Sequence, residues 1–144
     1  MQLSKFTDYA FRVLMYVSRH QDELHTIAGL AEKLNVSQNH LVKVVHFMAK
    51  QHWLITMRGK GGGIKVSAAA LAMPVGEVIR TLQGNPQLVS CDAPVCILKS
   101  GCRLKSLLDE ALEQFYQSLN RYTIAQCVGS AQPIELIPIK QQPM

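Results

Sequence analysis

The chain has 144 residues, 48% of them apolar, with 15 Lys and Arg against 10 Asp and Glu for a formal charge of +5. That is enough for one domain, or a small domain plus an accessory element, with an ordinary core that needs no disulfides. No apolar stretch approaches the roughly 20 residues that span a bilayer, which excludes a membrane-spanning helix, and the modest basic excess favours an acidic partner such as nucleic acid.

The opening residues 1–8 show no basic segment leading into an apolar run, so no secretion signal is expected and a cytoplasmic protein is predicted. Thiols stay reduced there, and the four cysteines are then metal ligands, redox groups or small buried apolar residues rather than disulfides.

Phe6, Tyr9, Ala10, Val13, Leu14 and Val17 recur at three- and four-residue steps, which predicts an amphipathic helix running to about His20. Thr26 is suited to cap a second, short helix through Ile27, Leu30, Ala31 and Leu34. After a tight turn at Asn35 and Val36, Ser37 is suited to cap a third, whose apolar face is Leu41, Val44, Val45 and Met48. Two helices joined by so short a turn, the second beginning polar and basic, form the helix-turn-helix pattern.

Leu54 to Arg58 and Ile64 to Ser67 then read as two short strands around Gly59-Lys60-Gly61-Gly62-Gly63, a basic, glycine-rich hairpin in the position of a wing. Pro74 suits the first turn of a helix through Val75, Val78, Ile79 and Leu82. Residues 88–101 carry no periodicity. From about Cys102 the series Leu104, Leu108, Ala111, Phe115, Ser118 and Tyr122 predicts one long helix with a heptad-like seam. The expected fold is therefore mainly α with a small β-hairpin. It comprises a winged helix-turn-helix domain over 1–84, a cysteine loop over 85–102, a long dimerisation helix over 103–128 and a loosely ordered tail over 129–144.

A helix that enters the major groove presents donors and acceptors from its first turns. Ser37, Gln38, Asn39, His40 and Lys43 hold that place. Gln and Asn match adenine edges, and Lys43 matches guanine or phosphate. The wing adds Arg58, suited to phosphate or a narrow minor groove, and Lys60, with the backbone amides of Gly61 and Gly62 near phosphate. Alone, either element also reads as an ordinary solvated face; their order in the chain is what points to DNA.

Cys91, Cys96 and Cys102 are separated in sequence by four and five intervening residues, in a loop rich in soft ligands suited to a soft metal or an iron–sulfur cluster. Lys99, Arg103 and Lys105 add positive charge beside them. Cys127 would lie roughly 37 Å away along an unbroken helix, so it reads as a buried apolar residue. A fourth ligand is then a carboxylate, a solvent molecule or a group from another chain. Peroxide-sensing thiols and structural cysteines remain alternatives at this point. The five histidines lie in the helix-turn-helix part, and no catalytic motif is present, so no enzyme is expected.

The run Gln2-Leu3 with Phe6-Thr7-Asp8-Tyr9, the segment Val36 to Lys43, the wing Arg58 to Ile64 and the cysteine triplet resemble the NsrR branch of the IscR-like winged-helix repressors, over about residues 1–128. The resemblance implies a homodimeric repressor that binds a double-stranded DNA operator. It also implies an iron–sulfur cofactor, a [4Fe–4S] rather than a [2Fe–2S] cluster, which reacts with nitric oxide and so derepresses nitric oxide detoxification genes. It gives the ligands as Cys91, Cys96 and Cys102, with Asp8 of the partner subunit as the fourth. The IscR branch carries a histidine where this chain has Lys105, which disfavours the smaller cluster. The alternative is a repressor that uses Cys91, Cys96 and Cys102 directly as a thiol or peroxide switch.

Overall fold

The computed structural model describes residues 2–84 and 86–129. Asn85 and most of the expected tail, 130–144, lie outside the described residues. Helix α1 spans Lys5–Arg19 and begins on Ser4, whose hydroxyl accepts the N–H of Thr7. Its predicted stripe is realised, with Ala10, Val13, Leu14 and Val17 fully buried.

Helix α2, Ile27–Leu34, is capped by Thr26 through the N–H of Gly29. It ends on Asn35 in the left-handed conformation, with φ at 51°, a backbone that Asn tolerates better than most residues because its short polar side chain bonds locally. That single residue turns the chain into α3, Gln38–Lys50. Leu41, Val44, Val45 and Met48 enter the core, and α3 packs on both α1 and α2.

Strands β1, Leu54–Met57, and β2, Gly63–Val66, pair antiparallel, with Leu54 opposite Val66 and Met57 opposite Gly63. His25 extends this small sheet. Its N–H donates to Ile64 at 3.0 Å and its carbonyl accepts from Ile64 at 2.8 Å, so the segment before α2 locks the root of the wing. A one-turn helix α4, Ala68–Leu71, leads to α5, Val75–Gln83, with Pro74 at the N-cap.

The C-terminal region differs from the single long helix expected over 103–128. Helix α6 spans Leu104–Leu119, a turn follows, and a short helix α7 runs over Ile124–Cys127. Local capping explains the break. Thr123 and Gln126 form a reciprocal capping box that starts a new helix, and Ile124, fully buried, donates its N–H to Met73 at 3.0 Å. The chain thus folds back on the domain.

The heptad-like seam is divided in the same way. Phe115, Leu112 and Leu119 pack against the chain's own core and Tyr116 is buried in it, whereas Leu104, Ala111, Ser118 and Tyr122 are exposed. Gly76 sits where α5 meets the end of α6, and a Cβ there would overlap the Tyr116 carbonyl. No described helix is long and apolar enough to cross a membrane.

Candidate DNA interface and cysteine site

The face of α3 turned away from the core carries Gln38, Asn39, His40 and Lys43, all exposed, continued by His46 and Lys50. Ser37 is the N-cap of α3, and its hydroxyl makes no capping bond. Val42, 45% exposed, adds an apolar side chain that the expected set omitted.

The wing projects Arg58 and Lys60 into solvent at its tip. Gly59 and Gly61 have positive φ angles of 96° and 76°, which the tight turn requires. Gly62 corrects one expectation. Its N–H donates to the Gly59 carbonyl at 3.0 Å, so that amide closes the turn instead of facing phosphate. What the position needs is the absence of a side chain, because a Cβ would overlap the Met57 carbonyl.

Cys91, Cys96 and Cys102 line one cavity of about 310 Å³ together with Asp92, Lys99, Lys105, Ser106 and Asp109. Backbone bonds shape this loop: Cys96 donates to Cys91 at 3.1 Å, Lys99 to Cys96 at 3.2 Å and Cys102 to Leu98 at 3.0 Å. Cys102 stands just ahead of Arg103, the N-cap of α6. All four cysteines are free, with Cys91 and Cys96 half-buried and Cys102 exposed.

The positive field expected around the thiols is largely balanced. Lys99 donates to Asp92 and Lys105 to Asp109. The hydrogen bond from Lys99 holds the Asp92 carboxyl below its ordinary range, and the bonds to Asp92 and Asp109 raise Lys99 and Lys105 respectively. Sequence reasoning passed over both carboxylates. A lysine seven residues from Asp92 and another four from Asp109 were the available signal, but only the fold shows that both pairs border one cavity.

The donor set, three thiols at one cavity, has the soft chemistry that suits a soft metal or an iron–sulfur cluster. A single ion needs its ligands to converge on one point, with thiolates about 2.3 Å from it, and no group of three His, Cys, Asp or Glu among the described residues does so. The three thiols nevertheless border a single cavity.

Cys127 lies elsewhere. It is exposed, not buried as expected, because α7 folds back and leaves it beside Arg12, Met15 and Tyr16. It therefore borders a different groove from the other three, and the reason is the turn rather than the length of an unbroken helix.

Asp8 lies in the first turn of α1, remote in sequence from the cysteine loop. Both its carboxylate oxygens accept from Arg12 Nε, at 3.1 and 3.2 Å, and the pair is about half exposed. The bond it donates to Asp8 raises the Arg12 guanidinium above its ordinary value.

Among known proteins, the Rrf2 family profile, described as iron-dependent transcriptional regulator, matches residues 3–130. CymR, the global cysteine regulator of B. subtilis, superposes with a TM-score of 0.69 at 19% identity, covering 89% of this chain and 96% of that one. IscR of T. potens superposes at 0.70 and 18% identity, covering 89% and 86%. CymR of Staphylococcus aureus does so at 0.70 and 18%, covering 90% and 100%. Likeness at this level of identity establishes the shared fold.

Proposed function

This chain belongs to the Rrf2 family of transcriptional regulators, and on that premise we propose that it is a homodimeric DNA-binding repressor controlled by an iron–sulfur cluster. In this reading the cluster is [4Fe–4S], the signal is nitric oxide and the genes released from repression serve nitric oxide detoxification. The carrying observation is that Cys91, Cys96 and Cys102 border one cavity in a chain that also presents a recognition helix and a basic wing.

The three cysteine thiolates would hold the cluster, and Asp8 of the partner subunit would supply the fourth ligand. When bound, the cluster supplies iron that reacts with nitric oxide. The chain's own part is to make that fourth position weak. A carboxylate is a harder donor than thiolate and a poorer match to iron. Within its own chain, Asp8 has Arg12 as an alternative partner, in an exposed pair that is easily exchanged.

Asp8 also ties the state of the site to DNA. It sits on α1, which packs against the recognition helix α3. The two recognition helices of a dimer must stay one DNA turn apart, or a multiple of it. A small displacement of α1 therefore uncouples one half-site. A coupling of about 3 kcal/mol weakens binding more than a hundredfold.

Specific readout falls to Ser37, Gln38, Asn39, His40 and Lys43 on α3. Arg58 and Lys60, with the turn at Gly61, grip the backbone. The test is the visible spectrum of anaerobically purified protein, with iron and sulfide analysis. Broad thiolate-to-iron absorption that is lost in the Cys96→Ser variant and kept in Cys127→Ser supports the reading. Colourless, iron-free protein would overturn the cluster and turn the account to a direct thiol switch, for which the exposed Cys102 is the observation in favour.

A further inference from the structure

Between the first turns of α1 and α3 lies a cleft of about 100 Å³ lined by Lys5, Phe6, Tyr9, His40, Lys43 and Val44. We infer that this cleft grips the sugar–phosphate backbone of the DNA duplex, which makes α1 a second DNA-contacting helix with Lys5 as a phosphate ligand. The inference rests on the DNA-binding reading of α3 and extends its surface to residues outside the helix-turn-helix and wing.

The cleft is chemically divided. Val44 is buried and Phe6 half-buried, and the Phe6 ring meets Phe47 edge-on at 5.4 Å, fixing α1 against α3. Tyr9 and His40 face each other at 5.9 Å. This apolar interior suits the C–H face of a deoxyribose. Lys5 and Lys43 stand exposed as its cations, and among the described residues neither is paired with a carboxylate. Asp8, the acidic group nearest in sequence, is taken up by Arg12.

Continuity with the recognition face identifies the occupant. His40 and Lys43 belong to the first turns of α3, so a duplex lying along that face also meets the cleft between α3 and α1. One phosphate placed there meets an ammonium from each helix. Lys5 is also one turn from Asp8, so the helix turn that carries the proposed ligand carries a DNA contact as well.

The experiment is fluorescence anisotropy of the full-length protein on a mixed-sequence duplex of about three helical turns, titrated between about 50 and 200 mM salt. Lys5→Gln is expected to weaken binding several-fold and to reduce the slope of log affinity against log salt by about one unit. Lys5→Arg is expected to restore both. Arg58→Ala serves as the control for the wing. If Arg58→Ala lowers the slope while Lys5→Gln leaves slope and affinity unchanged, the cleft is overturned and the DNA-binding reading stands. If the unaltered protein binds the duplex with no salt dependence, or not at all, the DNA-binding reading falls and the cleft with it. Circular dichroism confirms that each variant is folded, as expected for a side chain on the surface.

Discussion

The side-chain carbonyl of Asn120 accepts the backbone N–H of Glu77 at 2.9 Å, so a residue from the turn after α6 completes the N-terminus of α5. Its amide returns a bond to the Glu77 carboxylate at 3.1 Å. Pro74, the N-cap of α5, supplies no side-chain bond of its own. The helix that begins beside the cysteine loop is thereby fastened to the helix that ends beside it in the chain. Asn120→Ala is expected to cost about 1 kcal/mol, the usual value of a helix cap. Gly76→Ala, which forces a Cβ onto the Tyr116 carbonyl, should cost about 1–3 kcal/mol. Urea unfolding measures both, and unchanged midpoints would remove this joint as a source of stability.

The same joint is expected to respond to pH. Arg80 Nη2 donates to Glu113 at 2.8 Å while its guanidinium lies 4.3 Å from the centre of the Tyr116 ring. The hydrogen bond from Arg80 lowers the Glu113 carboxyl below its ordinary value of 4.5. A carboxyl lowered on folding adds stability above its unfolded pKa, and loses it as pH falls through the folded one. The unaltered protein should therefore lose more stability than Glu113→Gln as pH drops from about 6 to about 3. Parallel thermal denaturation curves across that range would contradict the coupling.

At the wing, Arg58 is exposed beside a turn closed by the bond from the Gly62 N–H to the Gly59 carbonyl. Arg58→Ala should weaken binding to every duplex and flatten the salt dependence by about one unit. It should leave the melting temperature in place, since the side chain packs on nothing in the core. A variant that binds DNA as the unaltered protein does would remove the wing from the interface.

In the proposed cluster reading, three carboxylates are candidates for the fourth ligand position. Asp92 and Asp109 line the cysteine cavity but are held by Lys99 and Lys105, whereas Asp8 must arrive from the partner subunit. Asp8→Ala is expected to keep the fold and bind DNA, while altering the stability of the visible absorption or its response to nitric oxide. Asp92→Asn and Asp109→Asn are expected to leave that response unchanged. The reverse pattern would assign the ligand within the chain.

Much of the fold was legible because it rests on local rules. The stripe from Phe6 to Val17 recorded the buried face of α1, the oxygen of Thr26 the cap of α2, and the glycines after Arg58 the turn of the wing. What escaped was non-local. The pattern from Leu104 to Tyr122 carries no sign that Thr123 and Gln126 restart the helix, and Ile124 is decisive only because Met73 waits for its N–H. Cys127 was misjudged with it. Asp92 and Asp109 were passed over because two surface ion pairs look ordinary in sequence. Lys5 and Tyr9 read simply as helix residues until α3 was set beside them. The cysteine triplet was plain from spacing, yet only folding brings all three to one cavity.

The most direct test of the account follows colour and DNA binding in one anaerobic sample as nitric oxide is added. The duplex would be one selected by the protein itself from a randomised pool. The account predicts that the thiolate-to-iron absorption and the anisotropy of the bound duplex fall together over the same additions. A protein whose grip on that duplex is unchanged while the absorption is lost, or that is colourless from the start and binds regardless of nitric oxide, would contradict it.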